Sequence, residues 1–225
     1  PGSDRSLMNR IPVVAVSIGM ATGIYAVSFG ALGVTAGLSI LETMLLSLLM
    51  FSGASQFAFV GVVATGGMAA IPTAIASAWL LGVRNGFYAL RMAPVLGMPG
   101  VTKLLSAQLT IDESTAVATS QATQSDERRG FWWTGISVFV FWNLTTLAGA
   151  VLGDRIGDPA NYGLDSAAAA AFLGLVWPRL SSSKFKLIGL AAFIAALATT
   201  SIVPAGIPVL LGALVAALIQ YWGKK

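Results

Sequence analysis

Phe51-Ser52-Gly53-Ala54-Ser55-Gln56-Phe57 is a run of small and polar residues in the middle of an otherwise apolar segment from Leu41 to Ala64. Left uninterrupted, a segment of that length would be an ordinary membrane helix. Gly53 instead frees the backbone, while Ser52, Ser55 and Gln56 offer hydroxyl and amide partners to the groups thereby released. Non-helical backbone at membrane depth is tolerated only where protein or a water-filled cavity surrounds it, so a break here marks a solute site or pathway. The competing reading is a helix contact, in which small residues let a neighbour approach and the serines bond back to their own helix.

The composition agrees with a membrane setting. Of the 225 residues, 56% are hydrophobic and 10% charged, and the mean hydropathy is +0.81. Apolar stretches repeatedly reach the ~17–25 residues that cross a bilayer. The expected fold is therefore all-α: a polytopic helical bundle of about seven to eight membrane segments, one of them interrupted or re-entrant, forming a single transmembrane domain over residues 1–225. Pro1-Gly2-Ser3 reads as an expression scar and is left out of the fold argument. The formal charge of +4 comes from Lys and Arg clustered at segment ends, which fits positive-inside anchoring and gives no case for nucleic-acid binding. Cysteine and histidine are absent. That removes disulfides, thiolate nucleophiles, histidine metal ligands and Ser-His dyads, so no enzyme activity, cofactor or metal is expected. No cleavable signal peptide is expected either, since the first apolar segment runs on past any small-residue cleavage site.

Along the chain, the first segment runs from about Ile11 to Gly33, with Gly19, Gly23, Gly30 and Gly33 suited to close packing. Ser39 is placed as an N-cap with Glu42 three positions on, opening the interrupted second segment. The third spans Ile71 to Leu90, with Pro72 in its first turn, and ends in a polar cluster of Arg84, Asn85, Tyr88 and Arg91. The fourth, Thr102 to Gln121, places Gln108, Asp112, Thr115 and Thr119 on one face of a helix that needs a wet side. Asp126-Glu127-Arg128-Arg129-Gly130 reads as a charged loop between two halves, 8–125 and 131–223. Phe131 to Gly153 opens with Trp132 and Trp133 as an interfacial anchor and carries Asn143 near its centre. Ser166 to Leu180, Phe185 to Ser201 and Ile207 to Trp222 complete the chain.

Two topologies follow from the basic residues. If all eight segments cross, Arg5, Arg10, Arg128, Arg129, Arg179, Lys184, Lys186, Lys224 and Lys225 share one side, which is then cytoplasmic together with both termini. Arg91, Lys103 and Arg155 face out. The rival makes the second segment a re-entrant pair of half-helices and lays the fourth on the inner surface, bringing Arg91 and Lys103 inside and leaving Asp112 and Glu113 out of the bilayer. The first is preferred, because the fourth segment is long enough and two-faced. A repeat is also suggested, since Gly30-Ala31-Leu32-Gly33 matches Gly149-Ala150-Val151-Leu152-Gly153 at an offset of about 119 residues.

Four stretches carry a resemblance: Phe29-Gly30 with Ala36-Gly37-Leu38-Ser39; Phe51 to Phe57; Val83-Arg84-Asn85-Gly86-Phe87-Tyr88; and Thr110-Ile111-Asp112-Glu113-Ser114. Together they resemble the AzlC family, the large subunit of two-component branched-chain amino acid exporters. The similarity covers most of the first 125 residues; the second half matches only in hydropathy. The family usually places Asn before Arg, whereas here Asn85 follows Arg84, which bears on Asn85 more than on Arg84. The resemblance implies export of leucine, isoleucine, valine and often methionine across the bacterial inner membrane, together with a separate AzlD-like subunit of about four helices. Composition and spacing alone reach a multi-span transporter with a polar intramembrane site.

Such a solute brings an ammonium, a carboxylate and an apolar side chain. The break at Ser52, Gly53, Ser55 and Gln56 could hold a carboxylate on backbone N–H groups. Phe51 and Phe57 could hold an aliphatic chain, and Asn143 is a further pathway candidate or interhelical glue. Asp112 or Glu113 could pair the ammonium or merely solvate an interfacial helix. Arg84 and Tyr88 share a face of the third segment, and Arg84 lies roughly 18 Å beyond Pro72 on a helix rising ~1.5 Å per residue. A guanidinium at that depth costs on the order of 3 kcal/mol and needs an anion, for which Asp112 and Glu113 are nearest in sequence. No nucleotide-binding Gly-rich loop is present, so an ion or proton gradient would supply the energy. The alternative is a passive channel for a small neutral solute, with the break as its constriction.

Overall fold

The computed structural model describes residues 10–97, 99–156, 173, 176–177, 180–203 and 207–222. Among them every regular element is helical. These are α1 (Arg10–Thr35), α2 (Ile40–Leu49), α3 (Gly53–Gly66), α4 (Ile71–Leu96), α5 (Gly100–Gln108), α6 (Asp112–Thr119), α7 (Gln124–Ile156), α8 (Ser183–Thr199) and α9 (Ile207–Trp222), with a 3-10 turn at Met68–Ala70. Pro1 to Ser3 and most of the segment expected at Ser166 to Leu180 lie outside the described residues. Helices 10–35 and 124–155 have both the length and the apolarity to cross a membrane. α4 has the length, 26 residues, but carries the polar cluster.

α1 and α7 form the spine. Gly19 packs against the Ser137 backbone, Gly23 against Phe141, and Gly153 against Ala31. These contacts climb both helices in the same sense, so α1 and α7 run parallel. A Cβ on Gly30 would collide with the Thr146 carbonyl, and one on Gly149 with the Val27 carbonyl. The two glycine motifs noted at the 119-residue offset therefore sit against each other.

The interrupted segment is broken where the small-residue run begins. Ser39 caps α2 through a reciprocal bond pair with Glu42: the Glu42 N–H donates to Ser39 Oγ (3.2 Å) and the Ser39 N–H to Glu42 Oε2 (2.7 Å). The helix ends at Leu49, and the Ser52 N–H donates to the Met50 carbonyl (2.7 Å), a tight turn about Phe51. α3 then turns back toward the start of α2. Phe59, Met68 and Ile71 line one cavity with Leu38, Glu42 and Leu45, which brings the far end of α3 to the start of α2. At ~1.5 Å per residue α2 reaches about 15 Å, half the thickness of a bilayer core.

A second hairpin corrects the reading of the fourth segment as one two-faced helix. The chain breaks at Leu109-Thr110-Ile111 between α5 and α6. Leu109 packs on Gly135, whereas Val117 and Ala118 pack on Gly130, so α6 returns toward the start of α7. α5 departs from that same end, because Arg128 Nε donates to the Val95 carbonyl (2.6 Å) and Arg91 pairs with Glu127 (2.9 Å). The stretch Asp126 to Gly130, expected as a loop, is the opening of α7. Its acidic residues suit a helix N-terminus, and its arginines hold the end of α4. The two hairpins thus enter from opposite ends of the α1–α7 spine and meet near its middle.

α8 and α9 pack on each other, with Gly212 against Ala192 and Ala196. α8 has no buried residue.

Candidate functional site

Four carbonyls at the end of α2 lack helical partners, as at any helix end. The buried Gln56 amide adds a donor at this end, its Nε2 lying 2.8 Å from the Met50 oxygen, which also accepts from the Ser52 N–H, and 3.4 Å from those of Leu46 and Ser47. Gln108, at the tip of the other hairpin, donates to the Leu48 oxygen at 2.7 Å. The second tip is held from within: Ser114 Oγ donates to the Leu109 carbonyl (2.6 Å) and accepts from the Ile111 N–H (3.1 Å). Two glutamines and a serine therefore satisfy the polar backbone that the breaks release.

Where the tips meet α1, α4 and α7 there is a cavity of about 350 Å³. The opening residues of both returning helices reach it: Ser52, Gly53 and Ala54 of α3, and Asp112 and Glu113 of α6. The first N–H groups of a helix lack internal acceptors and carry partial positive charge. At α6 the two carboxylates offset that charge, whereas at α3 it is bare, since the Ser52 side chain makes no cap bond. Arg84 reaches the same cavity from α4 and pairs with Asp112, Nη2 to Oδ2 at 2.9 Å. The pair is single-stranded: Arg84 Nε, Asp112 Oδ1, Ser52 Oγ and Asn85 Oδ1 are each buried without a hydrogen-bond partner. Tyr25, Phe51, Phe57, Ile111, Val138 and Trp142 supply the apolar wall. The cavity therefore carries the partial positive charge of the α3 opening, the Arg84–Asp112 pair and the Glu113 carboxylate on a wall that is largely apolar.

The residues singled out in the sequence separate into groups. Phe51, Ser52, Gly53 and Phe57 line this cavity with Arg84, Asp112 and Glu113. Ser55 lies behind the tip and lines a second cavity of about 460 Å³. Gln56, fully buried, lines neither; it clasps the break, accepting a bond from Trp142 Nε1 at 2.9 Å. Asn143 also lines neither, and its Nδ2 donates to the Phe139 carbonyl of its own helix (2.7 Å). Tyr88, half-buried, sits one turn from Arg84 toward the end of α4 and outside the cavity lining. Sequence reasoning passed over Thr22, Tyr25 and Trp142. The available signal was depth: Trp142 lies mid-segment beside Asn143, too far from Trp132 and Trp133 to share an interfacial belt. Among the described residues no group of three or more His, Cys, Asp or Glu could hold a metal ion.

A protein-family model described as AzlC protein matches residues 17–156, from within α1 to the end of α7. The match therefore contains both hairpins, the spine and the whole cavity lining, and extends past residue 125. No curated protein and no solved structure matches the chain.

Proposed function

This chain belongs to the AzlC family, and from that premise we propose that it exports branched-chain and other hydrophobic amino acids: leucine, isoleucine, valine and methionine. The family and the apolar helices make it a membrane transport protein. In our reading it is the large subunit of a two-component exporter in the bacterial inner membrane, working with a small AzlD-like subunit and driven by the proton-motive force. The bound amino acid lies in the 350 Å³ cavity, its carboxylate on the bare N-terminus of α3 at Ser52 to Ala54 and its ammonium toward Asp112 and Glu113. The aliphatic side chain rests among Phe57, Ile111 and Trp142. Asp112, alternately paired with Arg84 and protonated, couples the gradient to movement.

The observation that supports this most is the pair of helix openings, with charged groups of both signs, on one largely apolar cavity, which matches the two charges and apolar body of such a solute. A passive channel for a neutral solute has less in its favour, because helix openings and charged groups of both signs on one cavity suit a zwitterion better than an uncharged solute. Efflux of leucine from loaded proteoliposomes, with the chain alone and with the small subunit, tests the reading. Saturable efflux that requires both subunits and a proton gradient is expected. Flux indifferent to the gradient supports the channel, and full activity from the single chain removes the second subunit from the reading.

A further inference from the structure

Behind the first hairpin tip lies the second cavity, of about 460 Å³, between the tip, α4 and the end of α5. It shares Phe51, Ser52 and Asn85 with the first, so the two abut across these residues. Ser55 lines only the second cavity; it is 2% exposed, and its hydroxyl has no partner. The Ser52 hydroxyl and the Asn85 carbonyl oxygen, also buried without partners, face the boundary. Hydroxyl and carbonyl groups so placed are able to hydrogen-bond a polar solute that enters the cavity. No ionisable side chain lines this cavity, in contrast to Arg84, Asp112 and Glu113 in the first.

We infer that the second cavity is a second, weaker station for the same solute, which crosses the tip between Phe51 and Asn85. This rests on the first cavity being the amino-acid site. A solute leaving the first cavity gives up Asp112 and Glu113, yet its carboxylate keeps the α3 N-terminus, because Ser52 borders both spaces. Asn85 and Ser55 supply neutral hydrogen-bonding groups during the crossing, and the outward wall at Trp79 and Val83 receives the aliphatic chain. A pathway needs such a place: a site strong enough to capture a zwitterion releases it readily only into one that binds it less tightly. Phe51, held edge-on against Phe139 at 5.0 Å, is the partition.

Filling the second cavity while sparing the first tests this. A Cβ on Gly82 would stand 3.4 Å from Ser55 Oγ, an ordinary contact, and one on Gly86 would meet open space. Gly82→Leu and Gly86→Leu therefore project into the cavity from a helix they need not disturb, and Ser55→Ala removes only an unpartnered hydroxyl. Radiolabelled leucine binding to purified protein and leucine efflux from proteoliposomes carrying both subunits are measured for each. Leucine binding within about twofold of the unsubstituted protein, with efflux down about tenfold for the leucine variants and less for Ser55→Ala, is expected. Unchanged efflux from a filled cavity would make it a dead-end void. Binding lost with efflux would make the two cavities one site. Leucine that fails to bind the unsubstituted protein would overturn the reading of the first cavity, and the inference with it.

Discussion

Gln56 is fully buried, and its amide works at both ends: the nitrogen closes the carbonyl end of α2 and the oxygen takes the Trp142 N–H. Gln56→Leu keeps the volume but strands the buried Trp142 N–H, at a cost of about 1–3 kcal/mol, and removes a donor from the carbonyl end of α2. The expected outcome is a lower melting temperature in detergent together with lost efflux, and Gln56→Glu is expected to lose at least as much, because a buried carboxylate would face the Met50 carbonyl where the amide donated. An unchanged melting temperature would show that the clasp is dispensable. Arg84 and Asp112 behave differently, since removing one charge leaves the other facing a greasy wall. Asp112→Asn should slow efflux and flatten its pH dependence; Glu113→Gln is the companion. Wild-type rate and pH profile in both would mean that neither carboxylate carries the coupling proton and that substrate, lipid or another group neutralises Arg84. Sequence spacing alone pointed to this pair, because a guanidinium deep in α4 had few anions to choose from. It missed the role of Gln56, because an amide that serves a solute and one that serves a broken backbone look the same in a list of residues.

At the scale of elements, α1 and α7 touch through glycines because nothing larger fits. Gly30→Leu and Gly149→Leu push against backbone carbonyls, which cannot rotate aside as a side chain can. Overpacking ordinarily costs about 1–3 kcal/mol, and more where backbone must move. Both variants should lose the monodisperse peak in size-exclusion chromatography. Gly86→Ala, with open space around its Cβ, should be neutral or up to about 1 kcal/mol more stable, since alanine favours a helix. No loss at Gly30 and Gly149 would mean that helix propensity, and no tight crossing, sets their effect. The first break was legible because Ser52 and Gly53 interrupt an apolar run behind a capping pair at Ser39 and Glu42. The second was not, because Leu109-Thr110-Ile111 holds neither glycine nor proline. It is stabilised by Ser114 reaching back across the turn, a contact that helical spacing does not reveal. The charged start of α7 was misread for a related reason: Asp126 to Arg129 suits a loop or a helix end equally well, and contacts to Val95 and Arg91 make it the latter.

For the whole molecule, the sense in which the chain passes the bilayer separates two topologies. Eight crossings would set Leu41 and Met68 on opposite faces, and likewise Val101 and Ala122, because each pair would flank one membrane segment. Two hairpins set Leu41 with Met68 on one face and Val101 with Ala122 on the other. The hairpin arrangement gathers Arg10, Arg91, Lys103, Arg128 and Arg129 at one end of the α1–α7 spine, which satisfies the positive-inside tendency better than the eight-crossing scheme that stranded Arg91 and Lys103. It also departs from the rival considered from the sequence, because Asp112 and Glu113 open the returning helix of a second hairpin and line one cavity with the tip of the first. Hydropathy does not separate the schemes: a break in an apolar segment looks the same whether the chain continues through or turns back, and Gln56 reaching α2 with Leu109 seated on Gly135 is what favours the hairpins. The chain contains no cysteine, so single replacements report sidedness without a background. Leu41→Cys, Met68→Cys, Val101→Cys and Ala122→Cys fall at exposed positions and should insert normally. A membrane-impermeant maleimide applied to intact cells should label Leu41→Cys and Met68→Cys, while Val101→Cys and Ala122→Cys react only after the membrane is opened. Labelling of Leu41→Cys and Val101→Cys from outside, with the other two protected, is the pattern of eight crossings. It would require α3 and α6 to continue through the bilayer, and the cavity between their N-termini would no longer exist.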